Sequence, residues 1–151
     1  MTIWRTFGLS LAAGAMPLAA AFGGPAEDVA AASDAFLQAF NSGDAAAVAQ
    51  SFTEDAISLS PGWKVVEGRA EIEKMYTAFL KAGFGDLTRK VDSVTVVGDS
   101  IVIQVVRDYA TRTDGHGAKT NHAYKVLTVW RRGDDGVWRV YRDSFNDLPQ
   151  G

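Results

Sequence analysis

The sequence predicts an α+β fold, with helices gathered in its first half and an antiparallel sheet in its second. Three observations carry this. Apolar residues recur at helical spacing in two stretches before Gly83. From Val91 onward the runs are β-rich and the turns are short and glycine-containing. Residues 123–146 read as two strands joined through Gly133-Asp134-Asp135-Gly136, and Asp-Gly between β-rich runs marks a hairpin because glycine tolerates positive φ. Helices segregated from an antiparallel run argue for α+β rather than parallel α/β.

The elements follow in order. Residues 1–22 carry a short positive start (Arg5), an apolar Ala/Leu-rich stretch over 7–21 and the small residues Ala19-Ala20-Ala21. This is the layout of a secretory signal peptide, and the expected location is periplasmic or secreted. The competing reading of this segment is an uncleaved anchor. Residues 23–151 form one domain. Its first helix spans 27–41, with Val29, Ala32, Phe36 and Phe40 as the apolar stripe and Gly43 as the stop. Asp44 can cap a second, short helix by accepting unpaired backbone N–H bonds, with Ala47, Val48 and Phe52 as its buried face. A short strand over 56–60 leads to the Pro61-Gly62 turn, which carries Trp63, and Val65-Val66 form another. A third helix over 70–82 presents Ile72, Met75, Tyr76 and Phe79 and ends at Gly83. Strands over 91–97 and 101–111 flank Gly98-Asp99, a polar loop covers 113–121, and the hairpin closes the chain. A curved sheet wrapped around a long helix leaves a cavity at its open end.

Composition narrows the functional classes. Hydrophobic residues make up 47 %, enough for a real core. Lys and Arg number 15 against 18 Asp and Glu, with no basic stripe, so nucleic acid has little electrostatic attraction here. Cysteine is absent, which removes disulfides, thiolate ligands and thiol nucleophiles. Two histidines without a paired metal motif leave no metal expectation, and no glycine-rich phosphate loop or serine-hydrolase elbow implies a cofactor. No membrane span is expected once the first segment is cleaved.

Several short pieces occur in a familiar order. They are Phe52-Thr53-Glu54-Asp55-Ala56, then Gly62, Glu67-Gly68-Arg69 before Ile72, Val129-Trp130-Arg131-Arg132, Asp135-Gly136-Val137-Trp138, and Arg142-Asp143 with Asn146. Together they resemble SnoaL-like and DUF4440-type domains of the nuclear-transport-factor-2-like superfamily. The resemblance implies a cone-shaped sheet around N-terminal helices and a pocket inside it. It does not imply one activity, because that fold serves isomerases, cyclases, dehydratases, epoxide hydrolases and assembly modules. Ketosteroid isomerases of this fold place a base at the position of Ser60, and an oxyanion-binding acid near Thr128. Neither residue type here suits that chemistry.

The candidate catalytic residues are Asp143, Asp108 and His122. A carboxylate facing an apolar cavity has its pKa raised by desolvation and suits acid/base work; Asp143 is the leading candidate, set against a purely structural role. Arg107 and Asp108 are adjacent on a strand, so only one of them can face inward. An epoxide-hydrolase-like group of Asp108, Arg107 and Asp143 is another option. His122 starts a strand and is a candidate because the histidine side chain is a common general acid or base, whereas His116 sits in a solvated loop and Asp55 reads as a cap or turn residue. The candidate ligand-binding residues are Trp63, Tyr76, Tyr109, Tyr124, Trp130 and Asn146, since pockets are mostly apolar with a few placed polar groups. Phe79 and Trp138 read as core fillers.

Three readings stay open at this level: a binder of a small hydrophobic molecule, an acid/base lyase, isomerase or cyclase, and an interaction module. A second copy of the chain is the expected protein partner, docked through a sheet face marked by Leu127 and Val129.

Overall fold

The computed structural model describes residues 23–149, so the segment read as a signal peptide lies outside the described residues. Helix α1 (Pro25–Asn41) starts on a proline, whose fixed φ suits a first helical turn. It buries Val29, Ser33, Phe36 and Phe40 on one face. Helix α2 (Ala45–Gln50) is capped by Asp44, whose side chain accepts from the Ala47 N–H at 2.9 Å. Strand β1 (Phe52–Leu59) begins earlier than the sequence suggested. Phe52 is its first residue and packs in the core from the sheet, not from α2, which ends after six residues. Strand β2 (Val66–Glu67) and helix α3 (Arg69–Lys81) follow. Arg69 ties α3 to β1 through bonds to the Phe52 carbonyl at 2.9 and 2.7 Å.

Four long strands complete the fold: β3 (Phe84–Val97), β4 (Ile101–Thr113), β5 (Lys119–Arg132) and β6 (Trp138–Asp147). Gly85 and Asp86, outside the strand expected over 91–97, belong to β3. A register shift between Gly85 and Thr88 lets β3 pair with β4 all the way to Arg112, and Asp86 has φ 52. The loop expected over 113–121 contracts to a tight turn, because the Asp114 carboxylate accepts from the N–H groups of His116 and Ala118 at 2.8 and 2.9 Å.

The strand order is β2-β1-β6-β5-β4-β3. Neighbours pair antiparallel except β1, which lies parallel to β6. The expected sheet around N-terminal helices is therefore present, with one parallel pairing added by β1. Register shifts interrupt β1, β3 and the β5–β6 pair, and such bulges bend strands and deepen twist. The helices lie on one face, with α1 against β3, β4 and β6 and α3 against β1, β2 and β3. They do not reach the far half of β3. Among the described residues that strand forms one free edge, and Val91, Val94, Val96 and Val97 on it are all exposed. No helix among the described residues is long and apolar enough to cross a membrane.

Gly83 joins α3 to β3 where backbones touch. Its φ is +89, and a Cβ there would meet the Thr113 carbonyl oxygen at 1.9 Å. Gly43 also has positive φ, +77, but has open space around it. Gly83→Ala is expected to destabilise the domain by roughly 2–3 kcal/mol, against about 1 kcal/mol for Gly43→Ala. Urea unfolding midpoints check this, and equal losses would refute the steric account.

Candidate functional site

A cavity of about 520 Å³ opens between the helices and the inner face of the sheet. Strand alternation sets its lining in tiers. The floor is apolar, with Phe36, Phe40, Phe52, Trp130 and Val140. Trp130 is held there by its indole N–H, which donates to the Gln104 side chain at 2.9 Å. Above the floor lie Asp143, Thr128 and Tyr76, while Arg89 and Asp108 line the wall in the same cross-strand row as Tyr124. The mouth is formed by Phe79, Phe84, His122, Tyr124, Phe145 and Asp147.

Two buried carboxylates line the cavity in different surroundings. Asp108 is held by a bidentate ion pair with Arg89, at 2.8 and 2.7 Å, and both side chains are about nine-tenths buried. Arg89 also donates to the Ser33 hydroxyl at 2.8 Å and lies 5.3 Å from the Phe36 ring centre, which locks α1 onto the sheet. Burial opposes the guanidinium's charge, but the Asp108 bonds and charge outweigh it and hold its pKa above the ordinary value. Among the described residues Asp143 has no such partner. Its contacts are hydroxyls, from Ser58 at 3.1 Å and Thr128 at 3.5 Å. Burial raises its pKa to about 6, and the hydroxyl bonds and the charge of Arg89 offset only part of that rise.

Hydrogen bookkeeping around Asp143 links its charge to the residues behind it. Ser58 Oγ lies 3.0 Å from Ser60 Oγ, and Ser60 Oγ lies 3.2 Å from Met75 Sδ. Two hydroxyls supply two protons for three contacts. With Asp143 ionised, Ser58 donates to the carboxylate, Ser60 donates to Ser58, and the sulfur goes without. With Asp143 protonated, the acid donates to Ser58, Ser58 to Ser60, and Ser60 to Met75, so all three contacts are filled. The neutral acid thus suits its surroundings on two counts, desolvation and proton count.

Comparison with known proteins fits this geometry. The profile of the SnoaL-like domain matches residues 34–141. The chain belongs to the SnoaL-like domain family. Among solved structures it is similar to a ketosteroid isomerase-like protein from Erwinia carotovora atroseptica, with 25 % identity and a TM-score of 0.74, covering 82 % of this chain and 96 % of that one. It is also similar to a nuclear transport factor 2-like superfamily protein from Salmonella enterica serovar Typhimurium, with 14 % identity, a TM-score of 0.69, and 82 % and 91 % coverage. A third, from Novosphingobium aromaticivorans and described as having a cystatin-like fold, shows 19 % identity, a TM-score of 0.65 and 83 % coverage of both chains. A search of curated proteins finds no match.

This SnoaL-like domain brings Asp143, Asp108, His122, Tyr76, Tyr124 and Trp130 to one cavity. Three expected lining residues lie elsewhere. Tyr109 points to the outer face at 39 % exposure, because its neighbour Asp108 takes the inward position. Asn146 is exposed for the same reason, between the inward Phe145 and Asp147. Trp63 is 42 % exposed and packs edge-on against Phe79 from outside, while Pro61 and Gly62 of the same turn reach the lining. Asp55 is a β1 residue paired with Arg131 at 2.6 Å and serves no cap. Arg107 turns outward to Asp92 at 2.6 Å, which breaks up the Asp108–Arg107–Asp143 group. Phe79 lines the cavity, whereas Trp138 is core. The sequence reading missed Arg89, Ser58 and Phe84. Arg89 sat just before the expected strand, and the Ser58/Ser60 spacing of two was the available signal for a pair on one strand face. Among the described residues, no three His, Asp or Glu side chains converge as metal ligands would.

Two outcomes follow. Arg89→Met strands a buried carboxylate and is expected to cost about 3–5 kcal/mol, with partial recovery in Arg89→Met/Asp108→Leu; equilibrium unfolding of both variants checks it, and no recovery would sink it. Asp143, with its folded pKa raised from 3.8 to about 6, contributes stability that is present below the unfolded value and lost as pH rises through about 6. Asp143→Asn, which stays neutral, should match the parent near pH 4 and exceed it above pH 7 by on the order of 2–3 kcal/mol. A stability difference that does not change with pH would contradict this.

Proposed function

We propose that this SnoaL-like domain is exported and binds a small, largely apolar molecule in its cavity. The observation that supports this most directly is the cavity itself, an aromatic chamber of about 520 Å³ with one buried acid, Asp143, that forms no ion pair among the described residues. Its volume falls within the range of small-molecule sites, which are mostly apolar with a few fixed polar groups. Export rests on the charge and apolar pattern of residues 1–22. The protein partner is a second copy, docked through the outer sheet face where Leu127 and Val105 pair across β5 and β4, both exposed.

A second reading is favoured by one specific feature. An acid with a pKa of about 6 exists in both protonation states near neutrality, which is what proton transfer to or from a bound substrate requires. Tyr76, kept a neutral phenol by burial and by the charge of Asp143, stands in the same tier as a hydroxyl donor. In this lyase or isomerase reading the cavity binds the substrate and Asp143 moves the proton. The ketosteroid isomerase-like relative is consistent with it.

Native mass spectrometry of the protein purified from its export compartment tests the first reading. A small-molecule adduct is expected, and the same compound at a hundredfold excess over its Kd should stabilise the domain by about 2.7 kcal/mol. A cavity that retains nothing and gains no stability from any apolar compound would reject it. If the adduct is turned over, loss of turnover in a folded Asp143→Asn variant assigns the proton transfer; unchanged turnover refutes that role.

A further inference from the structure

The cavity mouth has a geometry that the fold alone does not require. Five rings form a closed circuit: Phe79 to Phe84 at 6.0 Å, Phe84 to His122 at 5.2 Å, His122 to Tyr124 at 6.3 Å, Tyr124 to Phe145 at 5.5 Å, and Phe145 back to Phe79 at 6.2 Å. They come from α3, β3, β5 and β6, and all five line the cavity. A five-membered circuit with such sides places each ring centre roughly 5 Å from the middle, inside the ~6 Å over which an aromatic face attracts a cation. His122 and Tyr124 lie parallel to within 7°, so at most one of these two turns its face squarely to the middle. Carboxylates flank the collar. Asp143, Phe145 and Asp147 take alternate positions on β6 and all line the cavity, so one acid lies a step inward of the collar and one a step outward.

We infer that the collar of Phe79, Phe84, His122, Tyr124 and Phe145, flanked by Asp143 and Asp147, selects a ligand whose apolar body carries a positively charged, alkylated ammonium group. This rests on the reading of the cavity as a binding site and names the class of molecule it takes. A quaternary ammonium is weakly hydrated, so little solvation has to be replaced, and the rings whose faces turn inward together with the flanking carboxylates supply the attraction. The apolar body extends inward past Val126 toward Phe36. Two cations already stand nearby, and neither fills the collar. Arg89 is neutralised by Asp108. Arg112 lies 5.9 Å from the Phe84 ring centre and is anchored to the Ala82 carbonyl at 3.0 Å.

Three probes of equal tail length separate the alternatives: hexyltrimethylammonium, hexanol and hexanoate, titrated into the purified protein by calorimetry at one fixed salt concentration. The ammonium is expected to bind at least tenfold tighter than hexanol, with hexanoate the weakest. Asp147→Asn, at an exposed position on the lip, should lower ammonium affinity roughly threefold to tenfold and leave hexanol unchanged. Hexanol or hexanoate binding as tightly as the ammonium, or Asp147→Asn weakening all three alike, would overturn the inference and leave the binding site itself standing. Failure of all three to bind would overturn the inference, while the binding reading itself is decided by the adduct and stability measurements.

Discussion

A guanidinium and a carboxylate buried side by side in a cavity wall persist because each neutralises the other, and much of this molecule is arranged around one such pair. Arg89 and Asp108 face one another across β3 and β4, and Arg89 reaches on to Ser33 and Phe36 of α1. Edge strand, neighbouring strand and helix therefore meet at a single cation. A pair of this kind adds little net stability over apolar packing, but removing either half leaves a buried charge. Its value here is positional. It holds α1 at a set height above the sheet, and that height determines how much cavity remains. Because Asp108 engages Arg89 with both oxygens, Asp143 feels the guanidinium only at a distance, and burial dominates its titration.

The tiers of the cavity follow from strand alternation. Every second residue of β5 from His122 to Trp130 and of β6 from Asp143 to Asp147 faces inward, so polarity changes with depth. The floor is apolar, the middle polar, the mouth aromatic with an acid at the lip. Charge in the middle tier is coupled to a chain of hydroxyls ending on the sulfur of Met75. A ligand that changes the protonation of Asp143 also reorders that chain, so binding and proton uptake are linked through fixed, buried atoms.

The architecture was legible in the sequence because its signals are local. Helical spacing of Val29, Phe36 and Phe40, the cap at Asp44 and the Asp135-Gly136 turn each specify an element within a few residues. The boundaries that differed depended on distant partners. Gly85 and Asp86 become strand because Thr111 and Arg112 pair alongside them, and no local preference encodes that. Site residues divided the same way. Asp143 was readable from its neighbours, whereas Tyr109 and Asn146 face outward because strand alternation gives the inward positions to Asp108 on β4 and to Phe145 and Asp147 on β6, and which parity faces the cavity is set by pairing with distant strands. Arg89 gains meaning only opposite Asp108, nineteen residues away.

The free edge of the sheet has a bearing on how the protein behaves in company. Among the described residues, 91–97 present an unpaired backbone ladder with four exposed valines, beyond the cover of the three helices. Such an edge is a template on which a stray strand can assemble. The bulge between Val91 and Ser93 and the Asp92–Arg107 pair interrupt it. Colloidal behaviour in a crowded compartment thus hinges on a few residues remote from the cavity, and changes there would alter solubility while leaving the pocket chemistry intact.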